Sequence, residues 1–317
     1  MGTVFGEQRY RGVTQVMPAL GRVGLSFGID TSTLVSRPSI GGVIAKLIAR
    51  LDCGSMEDDR VVQFVGSGPG AADLLTVRAA RMLGEAETVL YPGSYLDADV
   101  LAGCSPDADL VDTEDLDLDA IVEHLIDGHR AGRRIVRLVS GDPSVYSAVS
   151  EQTRRLDAAG VPWSVTPGVP AYAAAAARVG RELTVPLVAQ SVVLTRTQQR
   201  STAMPETESL SAFAATRATL VLHLAITRTR ELMTELAPEY GPDCPVVVVY
   251  RASQPQEQVL RGTVADIADA VEAAGLRQAA VILVGRALAG RPDPDAGESY
   301  LYDPTRDRSA KRSEGLR

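Results

Sequence analysis

VVQFVGSGPGAADLLT, residues 61–76, reads as a short apolar strand from Val61 to Val65, then a glycine turn, then the start of a helix. The arrangement repeats in RLVSGDPSVYSAVSEQ, residues 137–152, where Ser140-Gly141-Asp142-Pro143 closes a strand running from Arg134 to Val139. It appears a third time in VTPGVPAYAAAA, residues 165–176, where Pro167-Gly168 ends the strand Trp163 to Thr166. A strand feeding a glycine turn and then a helix is the unit of parallel sheets covered on both faces. Ligands in such sheets sit beyond the carboxyl ends of the strands, so three turns of this kind mark one sheet edge as a binding edge.

Outward from these turns, strand and helix keep alternating. Helical spacing runs over Ala71 to Leu83, Leu116 to His129 and Ser144 to Ala158, with Thr88 to Tyr91 a strand between the first two. Gly180 to Ala189 reads as a link between halves. Beyond it, strands are expected at Ser191 to Thr195, Ala218 to Leu224, Pro245 to Tyr250, Gln258 to Thr263 and Ala279 to Val284. Helices are expected at Leu210 to Ala215, Thr229 to Pro238 and Val264 to Ala274. The expected fold is α/β: two α/β domains with mainly parallel sheets, at residues 61–180 and 190–289. Residues 1–55 read as an extension, disordered or preceding the natural start at Met56, the alternative being an arm that orders in a dimer, and residues 290–317 as a mobile tail. The near-pure alanine run Ala171 to Ala177 suits a helix approaching another backbone or a ligand closely, and equally a tightly packed helix.

Composition narrows the function classes. With 317 residues and a 45% hydrophobic fraction there is ample core, but aromatics are only 4%, so Ala, Val and Leu must build it. A net charge of −8 argues against nucleic acid or an anionic membrane as main partner. No apolar run reaches the ~18 residues of a membrane span. Cys53, Cys104 and Cys244 are widely spaced and form neither a disulfide framework nor a metal cluster. That pattern fits a reducing compartment, the cytoplasm, and no metal site is expected.

The first turn alone is ambiguous. Gly66, Gly68 and Ala71 fit a loose dinucleotide-binding pattern, which would make the chain a nicotinamide or flavin oxidoreductase. Two details oppose it: Pro69 removes an N–H from the turn, and no acid closes the second strand, which ends Leu90-Tyr91-Pro92-Gly93. At the second turn, Asp142 has two readings. It can accept hydrogen bonds from a ligand, or cap the following helix.

Six segments in order, GSGPGAADLLTVRA (66–79), LYPGS (90–94), SGDPSVYSAVSEQ (140–152), VTPGVPAYAAAA (165–176), SVVLTRT (191–197) and YRASQPQEQ (250–258), resemble the tetrapyrrole methylase family. The resemblance runs from Val61 to about Leu288. It implies S-adenosylmethionine held in the cleft between two α/β domains, a tetrapyrrole (precorrin) as small-molecule substrate, and a homodimer. The positions matching the family's cofactor contacts are Pro69, Ser140, Gly141, Asp142, Val145, Ala171, Tyr172, Leu224 and Ala252. Within the family, VDT…LDLDAI, SVYSAVSEQ, QSVVLTRT and VVYRAS are similar to members that methylate C11 of precorrin-4 to give precorrin-5. Val139 stands where those members carry His, and Pro92-Gly93-Ser94-Tyr95 where they carry Ala-Gly-Ser-Leu. Methylation at C17, at C20 or on uroporphyrinogen III therefore stays open, as does a non-catalytic binder.

For proton transfer the candidate is His223, at a strand end beside Leu224; the other catalytic candidate, Asp142, can instead polarise the substrate or bind the cofactor. Arg196 and Arg251 are the expected clamps for substrate carboxylates. Most other basic residues, all Arg except Lys46 and Lys311, read as solvated surface.

Overall fold

The computed structural model describes residues 61–93, 96–197, 203–290, 299–300 and 304–306. The expected extension 1–55 lies outside these residues, as does most of the expected tail. Val62–Gly66 (β1), Thr88–Tyr91 (β2), Asp109–Asp112 (β3), Ile135–Val139 (β4) and Trp163–Thr166 (β5) form one sheet in the order β3-β2-β4-β1-β5. All of its pairings are parallel. β1 is buried at every position, so alternate residues feed two cores. Val62 and Phe64 pack with Leu90, Leu125 and Leu156 on one face. Val65 packs with Leu83, Val89 and Leu138 on the other.

Helices cover both faces. Val77–Glu85 (α1) is shorter than the spacing predicts: residues 72–74 form a 3-10 turn, and the Thr76 side chain then caps a fresh helix by accepting from Ala79 N–H. Ala98–Leu101 (α2) and β3 are elements that periodicity did not pick out. Leu118–Arg130 (α3) lies within a residue or two of the expected helix. Val149–Ala158 (α4) begins five residues later than expected, because Tyr146 and Ala148 sit at φ 54° and 52°, left-handed values no helix accepts.

Val192–Arg196 (β6), Thr219–His223 (β7), Pro245–Tyr250 (β8), Gln258–Thr263 (β9) and Ala280–Val284 (β10) form the second sheet, ordered β6-β7-β10-β8-β9. Only β6–β7 is parallel there; the other three pairings are antiparallel. The antiparallel β8–β9 pair is a hairpin, joined directly by the loop 251–257 with no crossover. Ala171–Val179 (α5) follows β5 in sequence yet packs on this sheet. Ala174, Ala175 and Val179 cover Val221, Val247, Val249 and Leu283, so the alanine run serves close helix–sheet packing. Leu210–Ala214 (α6), Thr229–Tyr240 (α7) and Ile267–Ala273 (α8) cover the opposite face, with Leu232, Leu236 and Ile267 in its core.

Candidate active site

The ends of β1, β4 and β5 converge. Gly68 and Gly141 form an antiparallel bridge, Gly141 N–H donating to Gly68 C=O at 2.8 Å and Gly68 N–H to Gly141 C=O at 3.1 Å. The third turn is pressed against them. A Cβ on Gly168 would lie 2.2 Å from the Gly141 carbonyl oxygen, and one on Gly66 would lie 2.5 Å from Gly168 N. These positions require glycine for space, independently of any ligand.

Asp142 locks this convergence. Its Oδ2 accepts from Gly168 N–H at 2.9 Å, and its Oδ1 accepts from Ser144 N–H at 2.9 Å and from the Ser144 hydroxyl. It does not cap α4, whose N-cap is Ala148 with no side-chain capping bond. Burial alone would raise the Asp142 carboxyl pKa; the Ser144 and Gly168 bonds outweigh it and hold the group below its ordinary value. Asp142 is thus an ionised acceptor with about one lone pair, on Oδ2, to spare.

The first turn is joined to the second sheet. Ser253 Oγ accepts from Ala71 N–H at 3.1 Å, and Gln254 Nε2 donates to Pro69 C=O at 3.1 Å. Glu257 supports this loop by accepting from Ser253 N–H at 2.7 Å and by pairing with Arg178 of α5. Ser253, Gln254 and Glu257 were not singled out from sequence, although all three lie in the segment YRASQPQEQ.

The expected cofactor residues divide by exposure. Pro69, Gly141 and Ala252 are buried, while Asp142, Val145, Ala171 and Tyr172 are half-buried. Ser140 is exposed, and so is Leu224, at 64% and φ 52°, a strained and uncovered apolar residue facing the cleft. Asp142 and Leu224 both line a cavity of about 920 Å³, together with Tyr146, Trp163, Pro167 and Arg196. Arg251 does not border it; its guanidinium donates to Gln256 Oε1 at 3.2 Å and lies over the Tyr250 ring.

His223 stands opposite Arg196 in the β6–β7 register. Its ring packs at 5.4 Å, centroid to centroid, on Tyr146, which projects from the second turn. His223 Nε2 is buried with no hydrogen-bond partner, and burial pushes its pKa below the ordinary value, so the ring is neutral at pH 7. Burial likewise raises the Tyr146 phenol, with Arg196 opposing and Glu208 adding to the rise. Tyr146 also escaped the sequence reading, since nothing local marks a tyrosine that reaches the other sheet. Among the described residues no group of His, Cys, Asp and Glu could hold a metal ion, and no helix is long and apolar enough to cross a membrane.

A cavity edged by the second turn, the ionised Asp142 and the exposed apolar Leu224 suits a ligand with both polar and apolar parts. Comparison with known proteins narrows this further. Residues 61–268 match the family described as Tetrapyrrole (Corrin/Porphyrin) Methylases. A precorrin-4 C(11)-methyltransferase of Rhodococcus erythropolis is 53% identical over 248 residues, covering 78% of this chain and 98% of that protein. The solved structure of a cobalt precorrin-4 methyltransferase superposes with a TM-score of 0.71 at 38% identity, covering 75% of this chain and all (100%) of that one. A uroporphyrin-III C-methyl transferase from Thermus thermophilus, complexed with S-adenyl homocysteine, gives a TM-score of 0.61 at 31% identity over 72% of this chain and 93% of that one. The chain belongs to the tetrapyrrole methylases.

Proposed function

We propose that this chain methylates precorrin-4 at C11 to give precorrin-5, using S-adenosylmethionine. The observation that carries this reading is the 53% identity to a precorrin-4 C(11)-methyltransferase, over 78% of this chain and 98% of that protein. The lower identity, 38%, to a cobalt precorrin-4 methyltransferase favours the metal-free substrate.

When bound, S-adenosylmethionine supplies an electrophilic methyl on a sulfonium; a nucleophilic ring carbon forms the new C–C bond as the C–S bond breaks, its electron pair leaving on a neutral thioether. The protein's part is alignment and exclusion of water, which together are worth about 7–11 kcal/mol in well-oriented systems. In our reading Pro69, Ser140, Gly141, Asp142, Val145, Ala171, Tyr172, Leu224 and Ala252 hold the cofactor. Asp142 and the exposed Ser140 face its polar parts, and Leu224 and Val145 its apolar ones. Neutral His223, with Nε2 unpaired, is the acid–base group for the ring. Arg196, at the cavity wall, holds substrate carboxylates, whereas Arg251 lies off the cavity, against Gln256 and the Tyr250 ring. We also take the working form to be a homodimer, as the resemblance implies, and cytoplasmic, as the cysteine spacing suggests, with α5 at the end of the expected 61–180 domain packed on the sheet of the 190–289 domain.

The test is transfer of label from methyl-labelled cofactor to precorrin-4, with carbon NMR of the product. Label at C11 is the expected result; label at C17 or C20 reassigns the ring position. Calorimetry is expected to show one cofactor per chain. NAD(P) binding in its place would overturn the methylase reading, and cofactor binding without transfer would leave a non-catalytic binder. Sedimentation decides between dimer and monomer.

A further inference from the structure

Arg137 lies in the middle of β4 and is only 7% exposed, yet no carboxylate pairs with it among the described residues. Instead its Nη1 donates to Thr113 Oγ1 at 3.1 Å, and its Nε to Gln152 Oε1 at 3.3 Å. The chain of bonds continues at both ends. Thr113 Oγ1 donates to Tyr91 C=O at 3.1 Å, and Gln152 Nε2 donates to Ala148 C=O at 3.1 Å. A buried relay thus runs from the end of β2, through the centre of the sheet, to the loop between Asp142 and α4.

A buried, unpaired guanidinium is a poor stabiliser. Burial alone pulls its pKa down to about 10, and an apolar side chain of equal volume often serves stability as well or better. The loop it reaches, however, needs support. Tyr146 and Ala148 are non-glycine residues held at φ 54° and 52°. Such conformations persist only where the surroundings over-determine them. Asp142 fixes the start of the loop through Ser144, and the Ser147 hydroxyl bonds Pro143 C=O within it. Gln152 fixes its end at Ala148.

We propose that Arg137 is a positioning residue: acting through Gln152, it fixes residues 146–148 so that Tyr146, which lines the cavity, is set against His223, while Val145 is held separately by its N–H bond to Asp142 C=O at 3.3 Å. This rests on the reading of that cavity as part of the methyl-transfer site. The Asp142–Gly168 bond does not involve Arg137, so the relay shapes the wall that carries Tyr146 and leaves the glycine turns in place.

Two variants test it. Arg137→Met removes the relay and keeps the volume. Gln152→Glu keeps an acceptor for Arg137 but removes the side-chain donor to Ala148 C=O, leaving that carbonyl only the longer 3.4 Å bond from the Gln152 backbone N–H. Both are expected to melt within a few degrees of the parent and to bind S-adenosylmethionine with a dissociation constant within twofold. Both are expected to lose tenfold or more in kcat with precorrin-4. In the same samples the ring-proton resonance of His223, one of three histidines in the chain, is expected to move toward its unstructured position as the Tyr146 ring leaves it. The proposal is overturned if either folded variant keeps kcat within twofold, if kcat and cofactor affinity fall together, or if the His223 resonance does not move in Gln152→Glu. Should Arg137→Met fail to fold, Gln152→Glu decides alone. The resonance needs no turnover, so a parent chain inactive on precorrin-4 would sink the functional reading while the relay was still being judged.

Discussion

The first and second glycine turns look alike in sequence and do different work. Both close a central strand of the same parallel sheet, and their backbones bridge each other at Gly68 and Gly141. The second turn is bound inward: Asp142 ties it to Gly168 of the third turn and to its own Ser144. The first turn is bound outward, across to the second sheet, through Ser253 and Gln254. One is a lock within a sheet and the other a joint between sheets. A turn's chemistry is therefore set by what the fold places opposite it, and less by its glycines.

The sharpest way to break the lock is steric. Gly168→Ala would put a Cβ within 2.2 Å of the Gly141 carbonyl and 2.9 Å of Gly66 backbone atoms, with no flexible side chain to yield. Overpacking of this kind costs about 3 kcal/mol, and melting is expected to fall by roughly 6–12 °C for a chain of this size. Thermal unfolding checks it. An unchanged midpoint would mean that the three strand ends are looser than their contacts suggest.

Removing the lock's hydrogen bonds is expected to cost less. Asp142→Ala leaves Gly168 N–H and Ser144 N–H without their acceptor, a loss of about 2 kcal/mol. Cofactor affinity by calorimetry is expected to drop about tenfold, or about 1.4 kcal/mol. Unchanged affinity would reduce Asp142 to a purely structural role. Asp142→Asn adds a pH signature. The folded-state pKa is depressed, so the carboxylate's stabilising effect is full above its ordinary value of 3.8 and fades as pH falls through the lower folded value. The stability gap between parent and variant should narrow below that value, in acid titrations of unfolding.

These contrasts also explain what could be read in advance. The strands at β2, β5, β8 and β9 have their expected limits, β8 because a short apolar run between breakers leaves little choice. The edge strand β3 was passed over: Asp109-Leu110-Val111-Asp112 is mostly exposed and has no apolar face to announce it. The late start of α4 was invisible because Ser144-Val145-Tyr146-Ser147-Ala148 contains no glycine to signal left-handed backbone. Arg137 read as one more surface arginine, and only the packing of α4 and the end of β3 around it shows otherwise. The lock was half legible, since Asp142 stood out as a carboxylate at a strand end. The joint was hardly legible at all, because its two hydrogen bonds span 182 and 185 residues.

The joint is open to milder tests. Ser253→Ala orphans Ala71 N–H, and Gln254→Ala removes the donor to Pro69 C=O, at about 1 kcal/mol each. If the joint aligns the two sheets around the cofactor, the double variant is expected to raise the cofactor dissociation constant while the midpoint moves little. A midpoint loss as large as that of Gly168→Ala would make the joint a second lock and erase the distinction.

The smallest expected effect concerns a place where the second turn touches the other sheet, the Tyr146–His223 ring contact. Aromatic pairs of this kind are worth about 1 kcal/mol, but this one carries a titratable ring, which neither the lock's backbone donors nor the joint's hydroxyl and amide do. Burial depresses the His223 pKa, so the unfolded chain takes up a proton first as pH falls below the ordinary value of 6.5. Stability is therefore full above 6.5 and declines toward the lower folded value. His223→Gln has no such group, and its stability should fall less between neutral and mildly acid pH. Matched denaturant titrations across that window decide it. Parallel curves would mean that Nε2 is reached by water in solution, and would remove the main physical ground for giving His223 the proton-transfer role.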